Sequence, residues 1–354
     1  MARPLRVDVE GGWYHTTCRG IDKAPIWKAD AERLHFLGLL ETLVERFQVR
    51  VHAYVLMANH YHLLIETPHA NASRAMQWLN VSYSVWYNRK HRRCGPLFQG
   101  RFKSVLVDQD GAWALEASVY IHLNPVRLVR HGAGKRERAA ARQGLDGGPT
   151  DEQVRAQLAE LRAFAWSSYP AYAGWTPKPR WLTCEELWKR AAWEKKEPQA
   201  AYREWVEDRI TQGEPVAMES RVTAGLVFGA EPFVEKVRGW LKGREIRGEA
   251  EKPQARALRR WVPFETVKAA VERVHGERWQ AFKDRRGDWG RDVALVLAHR
   301  LGGMTYPELA RAAGMKPQAV AAAVRLMGLK LADEKSVPSR KMRAAKIEIQ
   351  SLKT

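Results

Sequence analysis

His60 and His62 stand one residue apart in the run His60-Tyr61-His62. Side chains of a β-strand alternate between faces, so positions 60 and 62 share a face with Cα atoms roughly 6–7 Å apart. That spacing suits two imidazole ligands of one divalent cation. Imidazole favours manganese, zinc, cobalt or nickel, whereas magnesium prefers oxygen. In a chain with 11 histidines the pair is equally compatible with two hydrogen-bonded sheet residues. Two ligands leave a site incomplete, and the polar side chains open to a third place are Asn124 and His122. Tyr120 precedes Asn124 by four residues, one turn along the same helix face. A cation-bound Asn124 would therefore keep the Tyr120 phenol beside the ion.

Phosphoryl transfer is the chemistry such a group could perform. A cation polarises a scissile phosphate, a tyrosine oxygen attacks phosphorus in line, a sugar 3′-hydroxyl leaves, and a 5′-phosphotyrosine is formed. Free phenol ionises near pH ~10, so a cation must favour the phenolate. Tyr14, Tyr61, Tyr83 and Tyr87 are rival nucleophiles on physical grounds. Tyr61 points away from its histidine neighbours, and Tyr83 and Tyr87 read as packing or DNA-touching residues. The run RKHRRCGPLFQGRFK combines cations for a phosphate backbone with rings for unpaired bases. Its candidate nucleic-acid contacts are Arg89, Lys90, Arg92, Arg93, Phe98, Arg101, Phe102 and Lys103, with Arg127 beyond it. A solvated surface loop is the plainer reading of the same run.

The elements that must position these residues follow from hydrophobic periodicity. Residues 13–19 read as a strand. Residues 30–47 read as an amphipathic helix with Leu34, Leu37, Leu40, Val44 and Phe47 at steps of three or four, widened by Leu39 and Leu43. Residues 49–57 and 60–66 read as two strands around an Ala58-Asn59 turn. A second helix over 70–89 carries Met76, Leu79, Tyr83 and Tyr87, a fourth strand spans 102–107, and a third helix over 111–123 ends at Asn124-Pro125. The first six elements predict an α+β fold: a ferredoxin-like antiparallel sheet with two helices on one face. The third helix is extra.

Beyond residue 130 the chain changes character. Residues 131–182 hold a basic linker followed by an aromatic, Pro-rich segment that packs back on the first domain. Residues 183–285 read as a helical domain, with Thr183 and Glu186 as a capping box and residues 242–260 as a charged loop. Its tryptophans, Trp181, Trp188, Trp193, Trp205, Trp240 and Trp261, read as packing residues. Residues 286–330 form a helix-turn-helix-like module, with Thr305 as a cap, Gly314 at the turn, and Lys316, Gln318 and Arg325 as groove-facing candidates. A small helical bundle is the bland alternative. Residues 331–354 are a basic tail. The formal net charge of +19, from 59 Lys and Arg against 40 Asp and Glu, points to a nucleic-acid partner. The three cysteines, Cys18, Cys94 and Cys184, form no CxxC pair and argue against a disulfide framework. No stretch approaches the ~18–20 apolar residues of a membrane span, and no signal peptide is evident. The expectation is a cytoplasmic protein without a membrane partner.

These residues carry a resemblance. WYHTTCRG (13–20), YVLMANHYHLLIETP (54–68), GPLFQGRFKS (95–104), YIHLNPVR (120–127) and WSSY (166–169) are similar in order and spacing to IS200-like transposases of the HUH single-strand nuclease superfamily. The similarity is strongest to the REP-associated tyrosine transposase branch and spans roughly the first half of the chain. It implies that His60 and His62 bind the metal, that Tyr120 is the nucleophile, and that Asn124 is the amide-type third ligand. It also implies Mn²⁺ or Mg²⁺ dependence and a single-stranded DNA partner with hairpin structure, cleaved near its foot. Ala58 stands where the family commonly has Pro, which loosens the turn without removing a ligand. His122 occupies a variable position, where its side chain either stands behind the metal ligands and alters the metal preference or faces away from them. The rival function is a hairpin DNA or RNA binding regulator that does not cut. Either a monomer or a homodimer fits.

Overall fold

The computed structural model describes residues 6–126, 149–192, 197–212, 218–242, 262–285, 287–302, 304, 306–331, 333 and 336–352. It divides into two compact units, residues 1–133 with 148–254, and residues 134–147 with 255–354.

The amino-terminal unit is built on β1 (Gly12–Arg19), α1 (Asp30–Phe47), β2 (Arg50–Met57), β3 (His60–Thr67), α2 (Ala72–Lys90), β4 (Lys103–Val107) and α3 (Trp113–His122). The sheet order is β2-β3-β1-β4-β5. Among the first four strands each paired neighbour is antiparallel, as the ferredoxin-like pattern requires. A fifth strand not anticipated from sequence, β5 (Val227–Phe228), joins β4 in parallel. Two residues are too short to carry a periodic signal.

Both faces of this sheet are covered, so β2 and β3 are buried along nearly their whole length. On one face lie α1 and α2. There the Phe36 and Tyr61 rings lie 4.9 Å apart, the Tyr61 hydroxyl donates to Asn80 at 2.6 Å, and the Thr16 hydroxyl meets the Met76 sulfur. The helix α1 buries Glu32, Phe36, Leu40 and Leu43, a stripe rotated from the Leu34-centred one expected. Leu34 is 61% exposed, because Phe36 faces the sheet and fills the space beneath. The extra helix α3 covers the opposite face, where His60 and His62 point.

Downstream segments brace this core. The WSSY segment pairs along the free edge of β2, with Leu56 N–H donating to the Trp166 carbonyl (2.8 Å) and Ser168 N–H to that of Tyr54 (3.0 Å). The helices α4 (Asp151–Ala163), α5 (Tyr169–Tyr172), α6 (Glu185–Ala192), α7 (Pro198–Thr211), α8 (Met218–Arg221) and α9 (Glu231–Lys242) follow. Thr183 does not form the expected capping box. Its N–H bonds the Val51 carbonyl at 2.8 Å, which commits its backbone to the strand edge. Most of the expected linker, residues 243–260, Trp193 and Trp261 lie outside the described residues.

The carboxy-terminal unit contains α10 (Phe264–His275), α11 (Trp279–Phe282), α12 (Gly290–Gly302), α13 (Tyr306–Ala313), α14 (Pro317–Lys330) and α15 (Val337–Ser351). Residues 293–298 of α12 are buried without a break, the mark of a central helix. Gly314 sits at φ 69°, a left-handed conformation that glycine adopts without steric cost, and turns the chain from α13 into α14. Thr305 lies outside the described residues. Within the residues read as a basic tail lies the helix α15. Ser336 caps it through the Ser339 N–H, and Met342, Ala345 and Ile349 are buried in the core of this unit, burial that offsets the entropy of ordering.

Candidate active site

The β2–β3 hairpin aims the histidine pair. Its Ala58-Asn59 turn is clamped by the segment after β1: Gly20 N–H donates to the Asn59 carbonyl (2.8 Å), Ile26 N–H to that of Ala58 (3.1 Å), and the Trp27 indole to that of Met57 (2.6 Å). A Cβ on Gly20 would stand 2.3 Å from the Ala24 carbonyl oxygen, so the close approach requires glycine. The Asn59 amide donates to the Lys23 carbonyl (2.8 Å), and its Oδ1 lies 2.7 Å from His60 Nδ1. An Asn59 oxygen can only accept, so His60 carries its proton on Nδ1 and its lone pair on Nε2. Burial, aided by the nearby Arg19 charge, holds the His60 pKa down at about 4. The ring is therefore neutral near pH 7, as a metal ligand must be.

The His60 and His62 rings are 5.0 Å apart, on one side of the sheet as the spacing requires. Across β1, His15 lies on the same face, its Nε2 2.7 Å from His62 Nδ1. The Tyr120 ring stands edge-on to both, 5.7 Å from His62 and 5.4 Å from His15. Thus α3 brings the expected phenol to the histidine cluster. Tyr120 is only 3% exposed and His62 6%. The Asn124 amide donates to the Tyr120 carbonyl at 2.8 Å, so Oδ1 is the atom it could turn to a cation.

Two imidazoles and an amide oxygen are donors of the kind a divalent ion of the manganese or zinc type takes. Among the described residues there is no cluster of three His, Cys, Asp or Glu side chains suited to a metal. A third protein ligand here would have to be of another type, such as the Asn124 amide.

His122 is a correction. It is fully buried, with one ring nitrogen 2.7 Å from Ser168 Oγ and the other 2.7 Å from the Tyr202 hydroxyl. Burial holds its pKa down at about 3. Both nitrogens are committed to the brace behind α3, so it is no partner of the metal ligands. Phe98 and Phe102 are corrections too. They are 7% and 2% exposed. Phe98 packs near Tyr61 and Tyr83, and Phe102 lies beneath the Arg6 guanidinium at 3.6 Å. Burying each ring is worth ~1.5–3 kcal/mol, which outweighs displaying it to bases. The rivals Tyr61 and Tyr83 are buried on the opposite face, and burial raises the pKa of each.

Of the cationic candidates, Arg89, Arg92, Arg101 and Lys103 are exposed. Lys90 is tied to Glu32 at 2.7 Å, and Arg93 lies over the Tyr87 ring. Arg127 lies outside the described residues. In the other unit, Lys316, Gln318 and Arg325 are exposed on or beside α14. Sequence reasoning missed three residues. His15 and Arg19 share the parity of β1, and Arg19 pairs directly with His60, but only the β1–β3 register reveals this. Asn59, adjacent to His60, was read only as a turn residue.

The fold and site define an α+β domain whose sheet presents two histidines to a helix-borne tyrosine. Residues 8–123 match the family model described as Transposase IS200 like. Among solved structures the chain is similar to one titled "Structure of the REP associates tyrosine transposase bound to a REP hairpin", at 12% identity and a TM-score of 0.35, covering 52% of this chain and 92% of that one. No curated protein matches the chain.

Proposed function

We propose that the chain is a divalent-metal-dependent nuclease and transposase that cleaves and rejoins single-stranded hairpin DNA through a 5′-phosphotyrosine on Tyr120. The observation that carries this reading is the Tyr120 ring 5.7 Å from that of His62, on the sheet face His62 shares with His60. His60, His62 and Asn124 would hold Mn²⁺ or Mg²⁺, which supplies charge stabilisation at the scissile phosphate. The Tyr120 oxygen, its proton given up to the medium, attacks phosphorus. The bond from phosphorus to the 3′-oxygen breaks, and that oxygen takes up a proton. The reverse attack by a 3′-hydroxyl rejoins the strand and frees the phenol, consuming neither water nor ATP. Exposed Arg19 beside His60 and the cations Arg89, Arg92, Arg101 and Lys103 attract the phosphate backbone.

A labelled hairpin oligonucleotide incubated with Mn²⁺ and run on a denaturing protein gel tests this. A covalent adduct is expected in the wild type and none in Tyr120→Phe, with hairpin binding kept. Folded wild-type protein that gives no adduct would sink the proposal. The near-complete burial of Tyr120 favours a second reading, a hairpin DNA or RNA binder that does not cut. That reading expects salt-sensitive binding, undiminished in His60→Ala and His62→Ala, and no adduct.

The carboxy-terminal unit would add contacts to duplex DNA. From Leu309 to Ala332 the sequence holds four cations, Arg311, Lys316, Arg325 and Lys330, and no carboxylate. With Gln318 at the amino-terminal end of α14, this is the arrangement of a groove-reading helix.

A further inference from the structure

A histidine ligand presents one ring nitrogen to a metal, and its other nitrogen needs a partner that fixes the tautomer and the ring plane. For His60 that partner is Asn59, 2.7 Å from Nδ1. For His62 the atom in the equivalent place is Nε2 of His15, 2.7 Å from Nδ1. We infer that His15 is a positioning residue: its Nε2 accepts the Nδ1–H of His62 and so assigns the His62 lone pair to Nε2, matching His60. This rests on the metal-dependent nuclease reading given above.

The geometry supports it in three ways. The His15 and His62 rings are parallel to within 3°, and both are more than nine-tenths buried, so water competes little for the bond. The β1–β3 register pairs Thr17 with His62 and His15 with Leu64. The two imidazoles are thus held on neighbouring, fully paired strands, which are stiffer than a loop. The separation also excludes His15 as a ligand through the same atoms. Two nitrogens bound to one ion at ~2.0–2.1 Å stand about 3 Å or more apart, whereas 2.7 Å is a hydrogen bond.

An imidazole in this role has a chemical consequence. The partner of a metal-bound histidine is commonly a carboxylate, carbonyl or water. A carboxylate would place a negative charge beneath a site meant to receive a phosphodiester. His15 orients the ligand while adding no negative charge. Its contact with the edge of the Tyr120 ring lets the same side chain wall the phenol.

The test uses the full chain. Long-range proton–nitrogen NMR on the metal-free wild type reads the His62 tautomer directly, and a proton on Nδ1 is expected. A proton on Nε2 overturns the inference. Titration with Mn²⁺ alone, by calorimetry, is then compared across variants. His15→Ala should weaken binding by about 10- to 100-fold, and His15→Gln, whose Oε1 can accept the same hydrogen, should recover most of the loss. A change under about threefold in His15→Ala, or no recovery in His15→Gln, overturns it. If His15→Ala does not fold, the wild-type tautomer and the His15→Gln titration still decide. A wild type with the expected tautomer that forms no DNA adduct defeats the nuclease reading and leaves the histidine pair standing.

Discussion

His60 illustrates how much a single side chain depends on its neighbours. Its ring is neutral near pH 7 because burial disfavours the cation and Arg19 adds repulsion. Its tautomer is chosen by Asn59, whose other end is anchored on the Lys23 carbonyl. Removing Asn59 leaves the imidazole present but unaimed. Asn59→Ala should therefore weaken Mn²⁺ binding by about 10- to 100-fold while the far-ultraviolet circular dichroism stays unchanged. Calorimetric titration checks this, and an unaltered affinity would remove Asn59 from the site. Gly20 acts through space rather than dihedral freedom, since its φ is −60°. Gly20→Ala would drive a methyl into the Ala24 carbonyl. It should cost roughly 1–3 kcal/mol, seen as a lowered urea midpoint.

At the scale of elements, two devices hold the helices that matter. The first ties α1 to α2. Glu32 is 1% exposed and sits 2.7 Å from Lys90 and 3.1 Å from His91. Burial alone would raise its pKa, but the Lys90 hydrogen bond, the Ala29 N–H, the Lys90 charge and His91 outweigh burial and hold it at about 2. A carboxyl depressed in the folded state contributes stability above its unfolded value near 4.5, and that contribution is lost as pH falls from there towards 2. Glu32→Gln should lower the urea midpoint at pH 7 and flatten its decline between pH 5 and 3. An unchanged acid limb would count against the pairing. The second device braces α3. Tyr202 on α7 bonds His122 (2.7 Å) and Ser118 (2.8 Å), both on α3, and Ser168 bonds the far side of His122. Tyr202→Phe should cost roughly 1–3 kcal/mol, the penalty for buried polar groups left unpaired. It should also slow adduct formation more than it weakens hairpin binding, because the helix that aims Tyr120 is loosened. Equal effects on the two would point to general unfolding instead.

At the scale of the whole molecule, the excess of 59 basic over 40 acidic residues is a repulsion that a polyanion relieves. Each phosphate neutralised on a duplex contributes ~0.9 to the slope of log affinity against log salt. If Lys316 and Arg325 each meet a phosphate, the double variant Lys316→Ala/Arg325→Ala should lower that slope for duplex DNA by about 2. Fluorescence anisotropy between about 50 and 200 mM salt measures it. An unchanged slope would detach α14 from DNA binding.

Much of the fold was legible because short-range stereochemistry is periodic. Alternation along β3 put His60 and His62 on one face, and the 3.6-residue turn put Tyr120 near Asn124. The αL requirement at Gly314 located a turn, and Met76, Leu79, Tyr83 and Tyr87 declared the inner stripe of α2. None of these needs knowledge of a distant residue. The rest is a matter of which surfaces meet. His15 reaches His62 across 47 residues of chain, His122 finds Ser168 and Tyr202 at separations of 46 and 80, and Phe98 and Phe102 turn inward. Such contacts are set by the summed burial and hydrogen bonding of the whole core, in which a local run of Arg and Phe is outvoted by the space beneath it. Sequence alone therefore determined which residues could do the chemistry, and the tertiary structure decided which neighbours orient, neutralise and cover them.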